Sequence, residues 1–565
     1  MEVGFAHEIF FVLLAALAGG LIVRLLKIQP LVGYILAGVV FGSILPIKTG
    51  QIEKLAEVGA ILLLFSTGIE LSLKKLAKVV KVAVIGGIIQ ILAVTAISYF
   101  LLLGFGFSGL AAAIMAAGFS ISSTAVVIKI LLDRGEEDTL HGEIMIGWSL
   151  VQDLAVIPMM ILLTALANPS GGIILVSGLA LLKALSVVVL TLILGRLVAP
   201  YFIHKIASIN SRELLVLSSI TLALGTAALT SYFGVSPALG AFLAGVVISE
   251  SQENHAIFAE MRPLRDIFVA LFFVSLGFLV TPSIILTNFG LIILLAVVVF
   301  LVKFVTVFII SLAFRYHGRT ATIVSFGLAQ VGEFAFILFS LGMALGVFPK
   351  EAASIGIATA LLTLIATPFL FKSITPIWKS LRNASSKVDF LRKIILGGDR
   401  VTPEGREQYS NHIIICGFGR VGGWVGRALG EAKIPFVVVD YNQSVVSRLK
   451  AKGIQAIYGD PTEKEVIEAA GAREAKAVIL AIPDEFAQEE IVAHIENLNP
   501  RAKVIARVHK DEDFEKLKLL KVNTLIQPEF EGAIRIIRTI FVSMGRPKDE
   551  INERIKNIRL SHAAI

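Results

Sequence analysis

Residues 30–41 read PLVGYILAGVVF, and residues 237–248 read PALGAFLAGVVI. Pro, Gly, Leu, Ala, Gly, Val and Val coincide without a gap at an offset of 207, seven identities in twelve. The next stretch repeats at an offset of 209, where Leu62, Ser66 and Gly68 of LLLFSTG meet Leu271, Ser275 and Gly277 of LFFVSLG. A repeat is the first thing to settle, because it fixes how one half of a fold relates to the other. Its meaning depends on the solvent in which the chain folds.

That solvent is lipid over most of the length. Of 565 residues 56% are hydrophobic and 17% charged, and the mean hydropathy is +0.83, a membrane protein's composition. Charge returns to ordinary frequency after about residue 400, so two domains in two solvents are expected. A spanning helix needs about 20 apolar residues, and thirteen segments are predicted, from 8–26 to 351–378. Segment five is 107–132, six 143–167, seven 171–197, nine 236–250, ten 267–281, eleven 286–314 and twelve 319–346. The formal net charge of +8 does not point to nucleic acid. Arg24, Lys27, Lys74, Lys75, Arg134, Lys205, Arg212, Arg262, Arg265, Arg315 and Arg319 lie in alternate loops, as the positive-inside rule places them. The N-terminus is then outside and the domain after the last segment is cytoplasmic. One cysteine, Cys416, excludes an internal disulfide and a multi-cysteine metal site.

The repeat pairs segment two with nine and three with ten. Seven crossings separate the partners, an odd number, so the copies have opposite orientation. Inverted repeats of this kind belong to secondary transporters, whose sites lie at the midplane among interrupted helices. Carried forward, the offset of 209 pairs segment five with twelve, and each has a polar interruption: GFSISSTAVV at 118–127 and GLAQVGEFAF at 327–336. Gly118 falls on Gly327, Ser123 on Gly332 and Thr124 on Glu333.

Segment six carries Gln152 and Asp153 in GWSLVQDLAVIPMM. Asp153 is ten residues beyond Glu143, about 15 Å along a helix, near mid-bilayer. A charged Asp there costs roughly 2.5–3.5 kcal/mol, and such residues mark ion or proton paths. Burial favours its protonated form and a nearby cation its ionised form. A carboxylate holding either a proton or a monovalent cation, but not both, couples their opposite movements. Gln152 supplies a carbonyl oxygen to the ion or hydrogen-bonds a neighbouring helix. Ser123 and Thr124 are ligands or props of a kinked helix. Lys303, central in segment eleven, pairs with Asp153 when the ion is absent, or snorkels. Glu333 binds the cation, relays protons or satisfies a freed helix end. Lys183 in segment seven has no evident partner in the sequence.

After the membrane part comes NHIIICGFGRVGG at 411–423, with Gly417, Gly419 and Gly422 in GxGxxG spacing after a short apolar strand. Such glycines let a chain approach a phosphate at a helix N-terminus, and an acid at the next strand end, here Asp440, accepts from ribose hydroxyls. Further strands are predicted at 456–460, 477–483 and 503–508, giving a doubly wound α/β sheet. Arg420 meets a phosphate or a neighbouring subunit, or is solvated; Cys416 reads as packing.

The combination of SPALGAFLAGVV, SISSTAVV, the pair Gln152–Asp153, Lys303 and AQVGEFAF at 329–336 resembles the Kef branch of the monovalent cation:proton antiporter families. The resemblance implies a polytopic α-helical membrane protein of sodium/proton-antiporter-like fold with two crossed broken helices, assembled as a homodimer in membrane lipid. It implies that Asp153 carries the cation and the proton, with Ser123, Thr124 and the break before Glu333 lining the crossing. A glutamine before the aspartate resembles potassium/proton exchangers, and one charge rather than two suggests electroneutral exchange. Likewise GFGRVG, from Gly417 through Phe418, Gly419, Arg420 and Val421 to Gly422, together with Asp440, Gly459 and Asp460, is similar to a Rossmann-like regulatory nucleotide-binding domain taking AMP or NAD(H). The glutathione-gated members carry a regulatory loop that ENHAIFAEMRP at 253–263 matches in part, and the resemblance adds a glutathione-type ligand to the expected partners. The expected organisation is a transporter domain at 1–380, a linker at 381–410, a regulatory domain at 411–535 and a basic helical tail at 536–565. The function expected is potassium efflux coupled to proton uptake across a bacterial or archaeal-type inner membrane, with no enzymatic activity. A sodium/proton antiporter and a ligand-gated potassium channel are the alternatives, the latter lacking a TVGYG-like filter.

Overall fold

In a computed structural model the described residues are 5–385 and 410–563, apart from 26–28, 45–48, 71–72, 137–138, 210, 234–235, 250, 252, 509–513, 515–516, 521 and the stretch 168–200, of which Ser186, Gly195 and Leu197 are described. The chain forms two compact units: Met1–Ile128, Glu143–Phe314 and Ala321–Ile374 make the first, and Lys129–Gly142, Arg315–Thr320 and Thr375–Ile565 the second.

The first unit is helical. Its elements are α1 (Phe5–Leu25), α2 (Pro30–Ile44), α3 (Thr49–Glu70), α4 (Leu73–Gly104), α5 (Gly109–Ser120), α6 (Thr124–Arg134), α7 (Leu140–Ala167), α8 (Arg212–Tyr232), α9 (Pro237–Ser249), α10 (Asn254–Leu279), α11 (Pro282–Thr287), α12 (Phe289–Ala313), α13 (Gly318–Leu328), α14 (Phe334–Ala344) and α15 (Lys350–Lys372). The last residues of α6 and the first of α7 and α13 belong to the second unit. Among the described residues six spans are long and apolar enough to cross a membrane, the broken pair α5–α6 counted as one. Segment seven and Lys183 fall outside the described residues, as does most of the linker. Segment ten differs from expectation: α10 begins at Asn254, with Glu253 at its N-cap, and takes in residues 254–263, with Pro263 inside it. Ile257 and Met261, one turn apart, are buried in the same apolar cluster as Ile61 and Phe65 of α3, so an inward face continues the helix through the proline.

The repeat is visible as exchanged contacts. A Cβ added to Gly38 of α2 would stand 2.1 Å from the carbonyl oxygen of Val274 and 2.9 Å from Gly277 Cα of α10. A Cβ added to Gly245 of α9 would stand 2.1 Å from the carbonyl oxygen of Phe65 and 2.9 Å from Gly68 Cα of α3. The offsets 207 and 209 carry Gly38 to Gly245, Phe65 to Val274 and Gly68 to Gly277. Each copy thus lends one helix to a backbone-on-backbone crossing with the other, a contact that small residues permit in membranes. Both expected interruptions are present, at residues 121–123 between α5 and α6 and at 329–333 between α13 and α14.

The second unit holds a six-stranded parallel sheet in the order β3-β2-β1-β4-β5-β6. The strands are β1 (Ile413–Cys416), β2 (Phe436–Asp440), β3 (Ala456–Tyr458), β4 (Ala477–Leu480), β5 (Lys503–Arg507) and β6 (Thr524–Ile526). Ahead of them lies α16 (Ile374–Ser385); between and after them come α17 (Arg420–Glu431), α18 (Gln443–Ala451), α19 (Lys464–Ala469), α20 (Glu485–Leu498), α21 (Pro528–Ser543) and α22 (Lys548–Ala563). The order reverses at β1, where Cys416 lies opposite Val439 of β2 and Leu480 of β4, and ligands of such sheets bind outside the strand ends at that reversal. Ile414, Val437, Val439, Val478, Leu480 and Val504 fill the core on one face, as the near-continuous apolar runs of a parallel sheet require. Helix α21 runs through residue 535, so the expected boundary between regulatory domain and tail falls inside a helix. The tail pairs α21 with α22 around Ile534, Ile551 and Ile555.

Candidate functional site: two broken helices around a carboxylate

Breaking two helices inside a membrane frees backbone groups at four helix ends, and no water in hydrocarbon can satisfy them. The first unit answers with buried side chains. At the end of α5, Gln90 Nε2 donates to Ser120 O at 3.0 Å. The freed Ser122 N–H donates to Gln152 Oε1 at 2.7 Å, and Gln152 Nε2 donates to Gln90 Oε1 at 2.7 Å. Ser122 Oγ donates to Leu328 O at the end of α13, at 2.7 Å. Ser123 is the N-cap of α6, its Oγ accepting from Val126 N at 3.2 Å, a familiar role for serine.

The second break is built to match. Val331, which the offset equates with Ser122, donates its N–H to Thr363 Oγ1 at 3.1 Å, as Ser122 does to Gln152. Gly332 N donates to Ile121 O at 2.9 Å, and a Cβ there would come within 2.5 Å of the Ser122 carbonyl carbon. The two breaks therefore touch backbone to backbone. Lys303, fully buried, reaches them from α12: its Nζ donates to Ile121 O at 2.9 Å and to Gln330 O at 2.7 Å. Ile121 and Gln330 are repeat equivalents, so one ammonium ties together the same carbonyl in both copies.

Asp153 lies one residue after Gln152 on α7 and is 3% exposed. Its Oδ2 accepts from Thr124 Oγ1 at 2.7 Å, and Thr124 opens α6, whose N-terminal dipole favours negative charge. The structure therefore brings together Asp153, Thr124, Ser123, Gln152 and Lys303, with different parts. Thr124 touches the carboxylate. Gln152 and Ser123 hold the broken backbone, and Lys303 gives two of an ammonium's three donors to carbonyls, leaving at most one for Asp153. Glu333 stands at the N-cap of α14 without capping it. Sequence reasoning missed Ser122, Gln90 and Thr363. Gln90 had a signal of its own, a carboxamide within an apolar span.

In the second unit the glycine turn sits between β1 and α17. Gly417 has φ +89°, and a Cβ on Gly422 would meet Gly417 O at 2.1 Å, whereas one on Gly419 would meet nothing within 4 Å. Two glycines are thus needed by the fold, and the third leaves its surroundings open. Arg420 is exposed at the first turn of α17. Asp440 accepts from Phe418 N through Oδ2 and from Asn442 N through Oδ1, both at 2.7 Å. Burial pushes its carboxyl above the usual range, against those two donors. Gly459 donates its N–H to Asp440 O at 3.2 Å, and Asp460, 1% exposed, accepts from Thr462 N at 2.9 Å. Burial alone would raise Asp460, but Arg319, His317 and the Thr462 bonds bring it below its ordinary value. Cys416 is buried and burial pushes its thiol up, which fits packing rather than reactivity.

Comparison with known proteins gives the family and the fold. The family model described as "Sodium/hydrogen exchanger, transmembrane" matches residues 11–374, and a TrkA-N domain matches residues 413–528. A relative named for cation/proton antiport, YbaL of Escherichia coli strain K12, is 34% identical over 94% of this chain and 95% of its own. One named for K(+) efflux antiport, KefB of Alkalimonas amylolytica, is 28% identical over 94% of this chain and 80% of its own. The solved structure of the sodium proton antiporter MjNhaP1 from Methanocaldococcus jannaschii shares the fold of the membrane part, with a TM-score of 0.52 at 17% identity over 66% of this chain and 98% of that one. The chain belongs to the sodium/hydrogen exchanger family of cation/proton antiporters, transporters and not enzymes, and carries a TrkA-N domain of Rossmann-like fold after its membrane part.

Proposed function

We propose that the protein exchanges potassium for protons, one for one, by alternating access, with both ions competing for Asp153. The observation that carries this reading is a buried carboxylate, hydrogen-bonded by Thr124, beside two breaks where Gln152, Thr363 and Lys303 meet freed backbone groups. Exchange needs a group whose charge either ion can neutralise, and Asp153 is that group. Gln152 is a neutral amide engaged by Ser122 and Gln90, so the pair at 152–153 presents one negative charge, which supports electroneutral turnover. Potassium rests on the names of relatives such as KefB and on the glutamine in place of a second acid. In this reading Ser123, Thr124, Gln152, Lys303 and Glu333 make up the ion site and its frame, and the protein is a homodimer in an inner membrane with its N-terminus outside and its last domain in the cytoplasm.

The regulatory part of the proposal is that AMP or NAD(H) binds at the ends of β1 and β2. Gly417, Phe418, Gly419, Arg420, Val421 and Gly422 would face the phosphate, Asp440 the ribose, and Gly459 and Asp460 the far end of the ligand. A relative named as a glutathione-regulated potassium-efflux system, KefC, is 27% identical, and the proposal includes a glutathione-type ligand acting through residues 253–263, which match that regulatory loop only in part.

The test is proton flux into proteoliposomes of the full chain under gradients of potassium, sodium and lithium, with membrane potential varied independently. Potassium-driven flux insensitive to potential is expected. Sodium-driven flux with none for potassium would replace the ion, and flux that follows the potential would end the one-for-one claim.

A further inference from the structure

In the second unit an arginine lies in the crevice that the nucleotide reading requires. Arg319, the second residue of α13, is assigned with segment 315–320 to the unit that contains the sheet. Its Nη1 donates to both carboxylate oxygens of Asp460, at 3.4 and 3.3 Å, and to Thr462 Oγ1 at 3.4 Å. Its Nη2 donates to Asp484 Oδ2 in a short contact. The side chains of Arg319, Asp460 and Asp484 are 12%, 1% and 18% exposed.

The position of the two acids gives the contact its meaning. Asp460 follows β3 and Asp484 follows β4, and in the sheet those strands are separated by β2 and β1. At a strand spacing of about 4.8 Å, a group bonded to both lies across the ends of β2 and β1. That is the place outside the strand termini where doubly wound sheets take their ligands. Tyr441, directly after Asp440, is held there as well, its hydroxyl raised by burial and by Asp440.

We propose that Arg319 is an internal occupant of the nucleotide site, holding acceptors at Asp460 and Asp484 that a bound adenine nucleotide takes over, so that binding releases the first turn of α13. This rests on the nucleotide reading and names its output. The chemistry is an exchange of donors: the guanidinium leaves two carboxylates, and the amine and hydroxyls of the ligand supply hydrogen bonds in its place. Chain continuity then matters, because α13 runs from Gly318 to Leu328, and Leu328 O is the carbonyl that Ser122 holds beside the ion site.

The test compares AMP and adenosine binding to the full-length protein, and potassium-driven proton flux with and without AMP, in wild type, Arg319→Gln and Asp484→Asn. The second variant guards against misfolding of the first, since asparagine keeps the N-cap that Asp484 gives to Ala487 N while removing the charge. Arg319→Gln is expected to bind adenosine and AMP about tenfold tighter, the scale of one partly buried ion pair no longer displaced, and to transport at one rate whether or not AMP is present; Asp484→Asn, which loosens the arginine but gives the ligand a weaker acceptor, is expected to show a smaller gain in the same direction. Weaker AMP binding with adenosine unchanged would make Arg319 a phosphate ligand and overturn the proposal. Equal affinities in all three proteins would overturn it alone, whereas no binding to any of them would overturn the nucleotide reading with it. Binding by the variants and none by wild type would support it in its strongest form.

Discussion

The two breaks share a backbone and differ in chemistry. In each copy a helix stops, a residue passes its N–H to a side chain from the next helix, and a carbonyl one position earlier receives Lys303. Ser122 with Gln152 and Val331 with Thr363 are the same device made from different residues. Charge is where the copies part. Carried onto the following helix, the offset of 209 sets Asp153 against Leu362 and Thr124 against Glu333. The symmetric part builds a crossing that survives in hydrocarbon, and the asymmetric part places Asp153, the carboxylate of the proposed exchange, in one copy only.

Removing what the copies share should do the most damage. Lys303→Met leaves Ile121 O and Gln330 O without their donor, and at about 1–3 kcal/mol for each buried group should cost several kcal/mol; thermal unfolding in detergent reads it, and an unchanged Tm would detach Lys303 from the crossing. Gly332→Ala should be next, because the new Cβ meets backbone at 2.5 Å, whereas Gly118→Ala meets the Phe339 ring, which can turn. Transport should therefore fall far more in the first variant than in the second, and equal losses would mean that the breaks do not press on each other.

Gln152→Leu and Thr363→Val test whether the two caps are equivalent. Each orphans one buried N–H, so similar losses of about 1–3 kcal/mol are expected. A Gln152→Leu protein of full stability that had exchanged its preference among potassium, sodium and lithium would show the amide to be an ion ligand instead of a prop. The smallest effect lies outside the membrane segments. Glu136, buried against Arg134 and His141 at 3.0 and 3.1 Å, has its carboxyl brought down to about 2: burial opposes this, and the His141 and Arg134 bonds outweigh it. Its folded value is below its unfolded one, so its contribution is complete above the ordinary glutamate range and is lost as pH falls toward 2. Hydrogen exchange of segment 129–142 should rise over that window, and Glu136→Gln should flatten the rise.

The same comparison explains what the sequence could tell. The repeat and both breaks were legible because glycines and helix interruptions leave letters behind: Gly38 and Gly245 are identical residues meeting symmetric backbones. Asp153 was legible because a carboxylate in an apolar run has to be accounted for. The partners of Lys303 were not, since they are main-chain carbonyls 182 and 27 residues away, and any residue supplies a carbonyl. For Gln152 the sequence left an ion ligand and a helix-to-helix hydrogen bond open, and its contacts to Ser122 and Gln90 could not be seen from its position beside Asp153. Arg319 read as one of many cytoplasmic loop charges; nothing in its neighbours distinguishes an arginine facing lipid headgroups from one that reaches two aspartates 141 and 165 residues ahead.

The central claim is that the asymmetric carboxylate carries both ions, and Asp153→Asn tests it most directly. Asparagine keeps the size and can still accept from Thr124, so the crossing should fold with a Tm near that of the wild type. Potassium-driven proton uptake into proteoliposomes should then vanish at every pH, and potassium efflux with it. Exchange by the variant at the wild-type rate would contradict the account.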